Sequence, residues 1–130
     1  MLSLQSLHHV AIICHDIVRS RRFYTDVLGF EVKQEVYRAD RDSHKLDLAL
    51  NGTYLIELFS FPDPPPRPTR PEARGLRHLA FSVTDLDAAI RELRTRNVPV
   101  EDIRTDEWTG RRFTFLRDPD DLPIELYEID

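Results

Sequence analysis

Two histidines and two glutamates of this 130-residue chain recur at nearly one interval. His9 opens the segment His9-Val10-Ala11-Ile12, and His78 opens His78-Leu79-Ala80-Phe81, sixty-nine residues later. Glu57 sits in Ile56-Glu57-Leu58 and Glu125 in Ile124-Glu125-Leu126, sixty-eight residues apart. Asp16-Ile17 and Asp85-Leu86 repeat the first offset. Each glutamate stands among apolar residues, where an isolated carboxylate is very costly to bury, and a second one nearby adds repulsion. A divalent cation answers both problems. Imidazole nitrogen with carboxylate oxygen suits Zn²⁺, Ni²⁺, Co²⁺, Mn²⁺ or Fe²⁺. The predicted metal ligands are therefore His9, Glu57, His78 and Glu125. His8, His15 and His44 have no counterpart at this offset and read as surface or loop residues.

The elements that must position these groups also come twice. Each half begins with a short apolar run, Val10 to Cys14 or Leu79 to Val83. An Asp suited to cap a helix follows, Asp16 or Asp85. A helix is predicted from Ile17 to Leu28, stopped by Gly29, and another from Leu86 to Arg96, stopped near Asn97. Leu86, Ala89, Ile90 and Leu93 recur at helical spacing and give one apolar face. Three strands complete each half: Phe30 to Tyr37, Lys45 to Leu50 and Tyr54 to Phe61, then Val98 to Ile103, Arg112 to Leu116 and Leu122 to Glu128. Asn51-Gly52 and Asp118-Pro119-Asp120-Asp121 mark hairpin turns. The expectation is a single α+β domain over residues 1–130, built from two tandem βαβββ modules at about 5–61 and 76–130. Six prolines within residues 62–71 read as part of a stiff linker, 62–74.

Strand alternation assigns faces. Val10 and Ile12, Ile56 and Leu58, Leu79 and Phe81, and Ile124 and Leu126 take the helix side, with Cys14 as core. His9, Glu57, His78 and Glu125 then all turn to the opposite face, beside the small residues Ala11, Ala80 and Ser82. If Leu46, Leu48 and Leu50 face the helix, Lys45 and Asp47 join Glu57's face, as substrate contacts or as an ion pair. Arg111 and Arg112, after Trp108-Thr109-Gly110, are candidates to hold an anionic substrate or form a solvated edge.

Bulk properties narrow the field. A net charge of −5 with scattered Lys and Arg argues against a nucleic-acid partner. No apolar run approaches the ~20 residues that span a bilayer, so no membrane role is expected. One cysteine cannot form an intramolecular disulfide, and Met1 to Cys14 lacks the basic leader of a signal peptide; a cytoplasmic setting is expected.

His9-Val-Ala-Ile, Phe23-Tyr24…Leu28-Gly29-Phe30, Ile56-Glu57-Leu58, His78-Leu-Ala-Phe and Asp118-Pro119-Asp120…Glu125 together resemble the vicinal-oxygen-chelate superfamily across essentially the whole chain. Arg41-Asp42-Ser43…Asp47-Leu48-Ala49-Leu50, Phe59-Ser-Phe-Pro and Gly75-Leu-Arg-His are most similar to its bacterial glyoxalase-I-like (YaeR-type) branch. The resemblance implies paired modules forming cupped mixed sheets around a divalent metal, Ni or Zn foremost, commonly in a homodimer. It implies a lyase or isomerase that acts on a small oxygen-chelating substrate through an enediolate, with Glu125 as base and Glu57 as a possible second base. Related chemistries include metal-dependent transferases and dioxygenases, which typically carry His/His/Glu, and non-catalytic proteins that sequester a small molecule. Methylmalonyl-CoA epimerase has Gln where this chain has Glu57. One position departs from glyoxalase I: Ile13 stands where that enzyme has an Arg for glutathione.

Overall fold

Alternating burial along the strands shows how the sequence builds its core. In β1 (Val10–Cys14) Ile12 and Cys14 are buried while Ala11 and Ile13 are exposed. In β4 (Thr53–Ser60) Ile56 and Leu58 are buried while Glu57 keeps partial contact with solvent. Burying one such Leu or Ile contributes about 1.5–3 kcal/mol, so the helix-facing set fixes which way every other residue turns. These features come from a computed structural model that describes all 130 residues, which form two compact units, residues 1–65 and 66–130.

The first unit contains β1, α1 (Ile17–Arg22), β2 (Glu31–Arg38), β3 (Ser43–Leu50) and β4. The Asp16 carboxylate accepts from the Val18 and Arg19 N–H groups, as an N-cap should. Beyond Arg22 the helix widens into a π-type stretch over Phe23–Val27. It stops at Gly29, whose positive φ of 82° is a conformation that a residue with a Cβ resists. The four strands form a mixed sheet in the order β1-β4-β3-β2, with β1 parallel to β4 and the other pairs antiparallel.

The second unit repeats the plan: β5 (Leu79–Val83), α2 (Leu86–Thr95), β6 (Arg104–Thr105), β7 (Arg112–Arg117) and β8 (Pro123–Glu128), ordered β5-β8-β7-β6. Leu86, Ile90 and Leu93 of α2 are buried, as are Leu116, Ile124 and Leu126 of the sheet. Asn97, with φ of 56°, ends the helical region.

Two expectations need correction. The strand expected over Val98 to Ile103 is absent, and only Arg104–Thr105 pair with β7. Pro99 has no N–H to give a ladder. The segment is held instead by the Glu101 N–H to the Phe115 carbonyl and by the Thr114 hydroxyl to the Glu101 carbonyl. In β3, Ala49 rather than Leu50 is fully buried, because the register shifts after Leu48. Leu48 opposes Ile56 while Ala49 opposes Tyr54, which leaves Leu55 as the extra residue of a bulge.

The proline-rich segment is not wholly a spacer. Thr69 is buried, and its hydroxyl donates to the Asp121 carbonyl in the turn before β8. No helix is long and apolar enough to cross a membrane.

Candidate metal centre

Parallel pairing of the first and last strands brings each His to its Glu. Ala11 of β1 lies opposite Glu57 of β4, and Ala80 of β5 lies opposite Glu125 of β8. His9 and His78 each stand two residues before the alanine, on the same face, and so meet the carboxylate diagonally. His9 Nε2 is 3.8 Å from Glu57 Oε1, and His78 Nε2 is 3.8 Å from Glu125 Oε2. The small alanines leave space beside both pairs.

The distance itself is informative. It is too long for a hydrogen bond. Two ligands sharing a metal at about 2.1 Å stand roughly 3.0–3.4 Å apart, so a modest inward shift would bring either pair into coordination. Each unit alone thus offers one nitrogen and one oxygen donor, and no group of three or more His, Cys, Asp or Glu converges as a ligand set.

The donor types and the surroundings of Glu125 are compatible with a cation. Glu125 is only 17% exposed, yet it accepts no hydrogen bond from the protein. Its neighbour His78 packs its ring edge against Phe115, with centroids 5.1 Å apart. A carboxylate so placed keeps only part of its solvation, and a positive partner would offset the rest. On the other unit, His9 Nδ1 lies 2.8 Å from His8 Nδ1, which orients the ring and leaves Nε2 toward Glu57. Ligating histidines are typically held by such a partner on the second nitrogen. The ring also stacks on Tyr54, with centroids 5.3 Å apart and the two planes nearly parallel.

Around Glu57 the structure gathers two residues expected from the sequence and one that was not. Lys45 Nζ is 2.9 Å from Asp47 and 3.5 Å from Glu57. The Asp47 hydrogen bond, above all, holds the Lys45 ammonium above its usual range. The Tyr54 hydroxyl lies 3.2 Å from both Asp47 and Glu57. Burial, followed by these two negative charges, pushes its phenol well above the ordinary value, so Tyr54 keeps its proton. Plain alternation places Tyr54 with Ile56 on the helix side; the bulge at Leu55 turns it round. Asn51-Gly52 was the only nearby sign of an irregular strand end. His8, likewise without a repeat partner, offered no signal beyond adjacency to His9.

Arg111 and Arg112 are both engaged by carboxylates. Arg111 makes two bonds to Asp130, at 3.2 and 3.0 Å. Arg112 bridges Glu128, at 3.0 and 2.9 Å, and Asp87, at 2.9 Å. This network ties β7 to the start of α2, which is a structural task. Ile13, at the position of the missing arginine, is exposed on β1.

Residues 6–126 match the family model described as the Glyoxalase/Bleomycin resistance protein/Dioxygenase superfamily. The chain is 63% identical over 125 residues to YwkD of Bacillus subtilis (strain 168), covering 96% of this chain and 98% of that protein. It is 62% identical over 128 residues to YaeR of Escherichia coli (strain K12), covering 98% and 99%. Among solved structures, a glyoxalase family protein from Enterococcus faecalis superposes with a TM-score of 0.90 at 42% identity, over 98% of this chain and all of that one. Two named enzymes stand further off. The trypanothione-dependent glyoxalase I of Leishmania major has a TM-score of 0.74 at 28% identity, over 96% and 87% of the two chains. A 2-epi-5-epi-valiolone epimerase from an Actinomyces species is 29% identical over 145 residues, covering 95% and 79%.

Proposed function

This chain belongs to the glyoxalase/bleomycin resistance protein/dioxygenase superfamily, and from that premise we propose that it is a metal-dependent lyase or isomerase of the glyoxalase-I type. Its substrate is a small molecule with two oxygens able to chelate one ion. The observation that supports this reading is the duplicated pair, His9 with Glu57 and His78 with Glu125, each at 3.8 Å on corresponding strands. Together the four residues hold one divalent transition metal, nickel or zinc first, with cobalt, manganese and iron compatible. The chain acts as a cytoplasmic homodimer, and the set closes within one chain or between two.

When bound, the metal supplies positive charge to the substrate oxygens, which makes loss of a proton from the adjoining carbon less costly. Glu125 takes that proton: its carboxylate accepts no hydrogen bond from the protein, so its lone pairs stay available. Glu57 is the second base, oriented by Lys45 and Tyr54. Phe115 packs against His78 edge-on and limits how its ring can turn.

Because Ile13 provides no cation, a substrate without glutathione is favoured over the lactoylglutathione lyase reaction. The named relatives are a glyoxalase and an epimerase, and moving a proton at carbon suits either kind of product.

Elemental analysis of the purified protein beside His9→Ala and Glu125→Gln tests the reading, followed by assay of the loaded enzyme on methylglyoxal with and without glutathione. About one metal per chain, reduced in both variants, is expected. Lyase turnover would assign the glutathione reaction; metal without it points to other chelating substrates. No metal after reconstitution overturns the proposal and leaves a sequestering protein.

A further inference from the structure

Beside His78 the second unit forms an open hollow of about 230 Å³ whose lining includes five arginines, Arg67, Arg70, Arg77, Arg104 and Arg117, against two glutamates, Glu72 and Glu101. So positive a wall is unexpected in a chain of net charge −5. The arginines are not equally compensated. Arg70 lies 4.0 Å from Glu72, Arg104 lies 3.3 Å from Glu101, and Arg117 is paired with Asp121. Arg67 is held only by neutral oxygens: its Nε donates to the Thr69 hydroxyl at 2.8 Å and its Nη2 to the Leu76 carbonyl at 3.1 Å. Arg77 is exposed and forms no ion pair with a carboxylate. Two guanidinium charges therefore remain unmatched in one small space.

Part of the wall is also preorganised. Thr69, which orients Arg67, is buried and anchored to the Asp121 carbonyl at 2.9 Å. The Arg104 guanidinium lies over the Phe113 and Phe115 rings, 5.1 and 5.4 Å from their centroids. Guanidinium groups fixed in this way bind oxyanions through paired charge-assisted bonds, and prior ordering lowers the entropy lost on binding. The volume lies below the roughly 300–1,000 Å³ of pockets that enclose a drug-sized ligand, so a head group fits and a large cofactor does not.

We propose that this hollow seats a phosphoryl-type dianion at one end of a small substrate whose other end lies at His78. A dianion answers the two unmatched charges; a single carboxylate answers one. The inference rests on the proposed function for the second half of that statement, and it names the substrate class: small, phosphorylated or phosphonylated, and chelating.

The test is titration of the isotope-labelled, chelator-treated full chain with inorganic phosphate, followed by amide and arginine side-chain NMR, with acetate in parallel. Removing metal ensures that phosphate is not simply a ligand of the ion. Saturable shifts confined to residues 67–77 and 101–117 are expected, with acetate weaker. Arg77→Gln should weaken phosphate about tenfold or more, as loss of one charge-assisted bond implies. Arg77 makes no contact on which folding depends, so that variant remains folded. Absence of saturable shifts, shifts untouched by Arg77→Gln, or acetate binding as tightly as phosphate each overturn the proposal. Glu125→Gln separates the two readings: retained phosphate binding with unchanged metal content sinks the metal assignment and keeps the anion seat. Metal loss in that variant, with no phosphate binding by the wild type, does the reverse.

Discussion

The Tyr54 hydroxyl lies 3.2 Å from Glu57 Oε2, and it stands the same distance from Asp47 Oδ1. One phenolic proton thus serves two carboxylates, and Lys45 approaches both from beside them. Glu57 is therefore braced on its own strand and from β3. Glu125 has no comparable brace, only the His78 ring at 3.8 Å. The two halves repeat the ligands and differ in what stands behind them.

Replacing Tyr54 with Phe keeps the ring that stacks on His9 and removes only the hydroxyl. Metal affinity is expected to fall about tenfold, the lower range for loss of a group that holds a ligand. Competition with a chromophoric chelator measures it. An unchanged affinity would separate Tyr54 from the metal's outer support.

His8→Ala removes the partner of His9 Nδ1, so the His9 ring is free to rotate or change tautomer. The rise in melting temperature on adding metal should shrink, reflecting an affinity loss of about 10–100-fold. The same metal-induced rise in the variant and the wild type would reduce the 2.8 Å contact to a surface pairing.

Acid should weaken the second unit through Glu128. The Arg112 guanidinium first, and the Leu86 N–H second, hold this carboxyl below the usual range. A carboxyl whose folded value is depressed stabilises above its unfolded value of about 4.3, and that contribution disappears as pH falls from there through the folded value. Glu128→Gln should therefore have a lower urea midpoint than the wild type near neutrality. The gap should narrow as pH falls below that unfolded value of about 4.3. A gap that stays constant with pH would remove the linkage.

Leu48→Ala deletes a side chain with no solvent exposure and should cost about 2–5 kcal/mol by denaturant unfolding. Ile13→Ala, on the open face of β1, should stay within about 0.5 kcal/mol. Similar costs at both positions would contradict the assignment of faces.

How much of this was legible in the sequence can be judged residue by residue. The pairing of His9 with Glu57 and of His78 with Glu125 followed from repetition and strand parity, because one buried face fixes the register of the other. Helix starts followed from Asp16 and Asp85, whose short carboxylates serve the free N–H groups. Tyr54 did not follow, since a bulge reverses parity and leaves no residue signature of its own. The arginine hollow was equally hidden. Arg67 and Arg77 come from the segment before β5, Arg104 from β6 and Arg117 from β7, and only folding brings them together. Arg111 and Arg112 showed the opposite error of emphasis: adjacent cations drew notice, while their carboxylate partners lay 16 to 25 residues away.

The parallel match of β1 with β4 also governs when the chemistry can exist. Val10 meets Ile56 only after everything between them has been laid down, and β1 borders no other strand. That contact carries the largest loop-closure cost in its sheet, so it belongs to the late, slow part of assembly. His9 and Glu57 are strangers until then. An ion gripping both would act as a clasp on this border strand, making departure of the ion and fraying of the border one event.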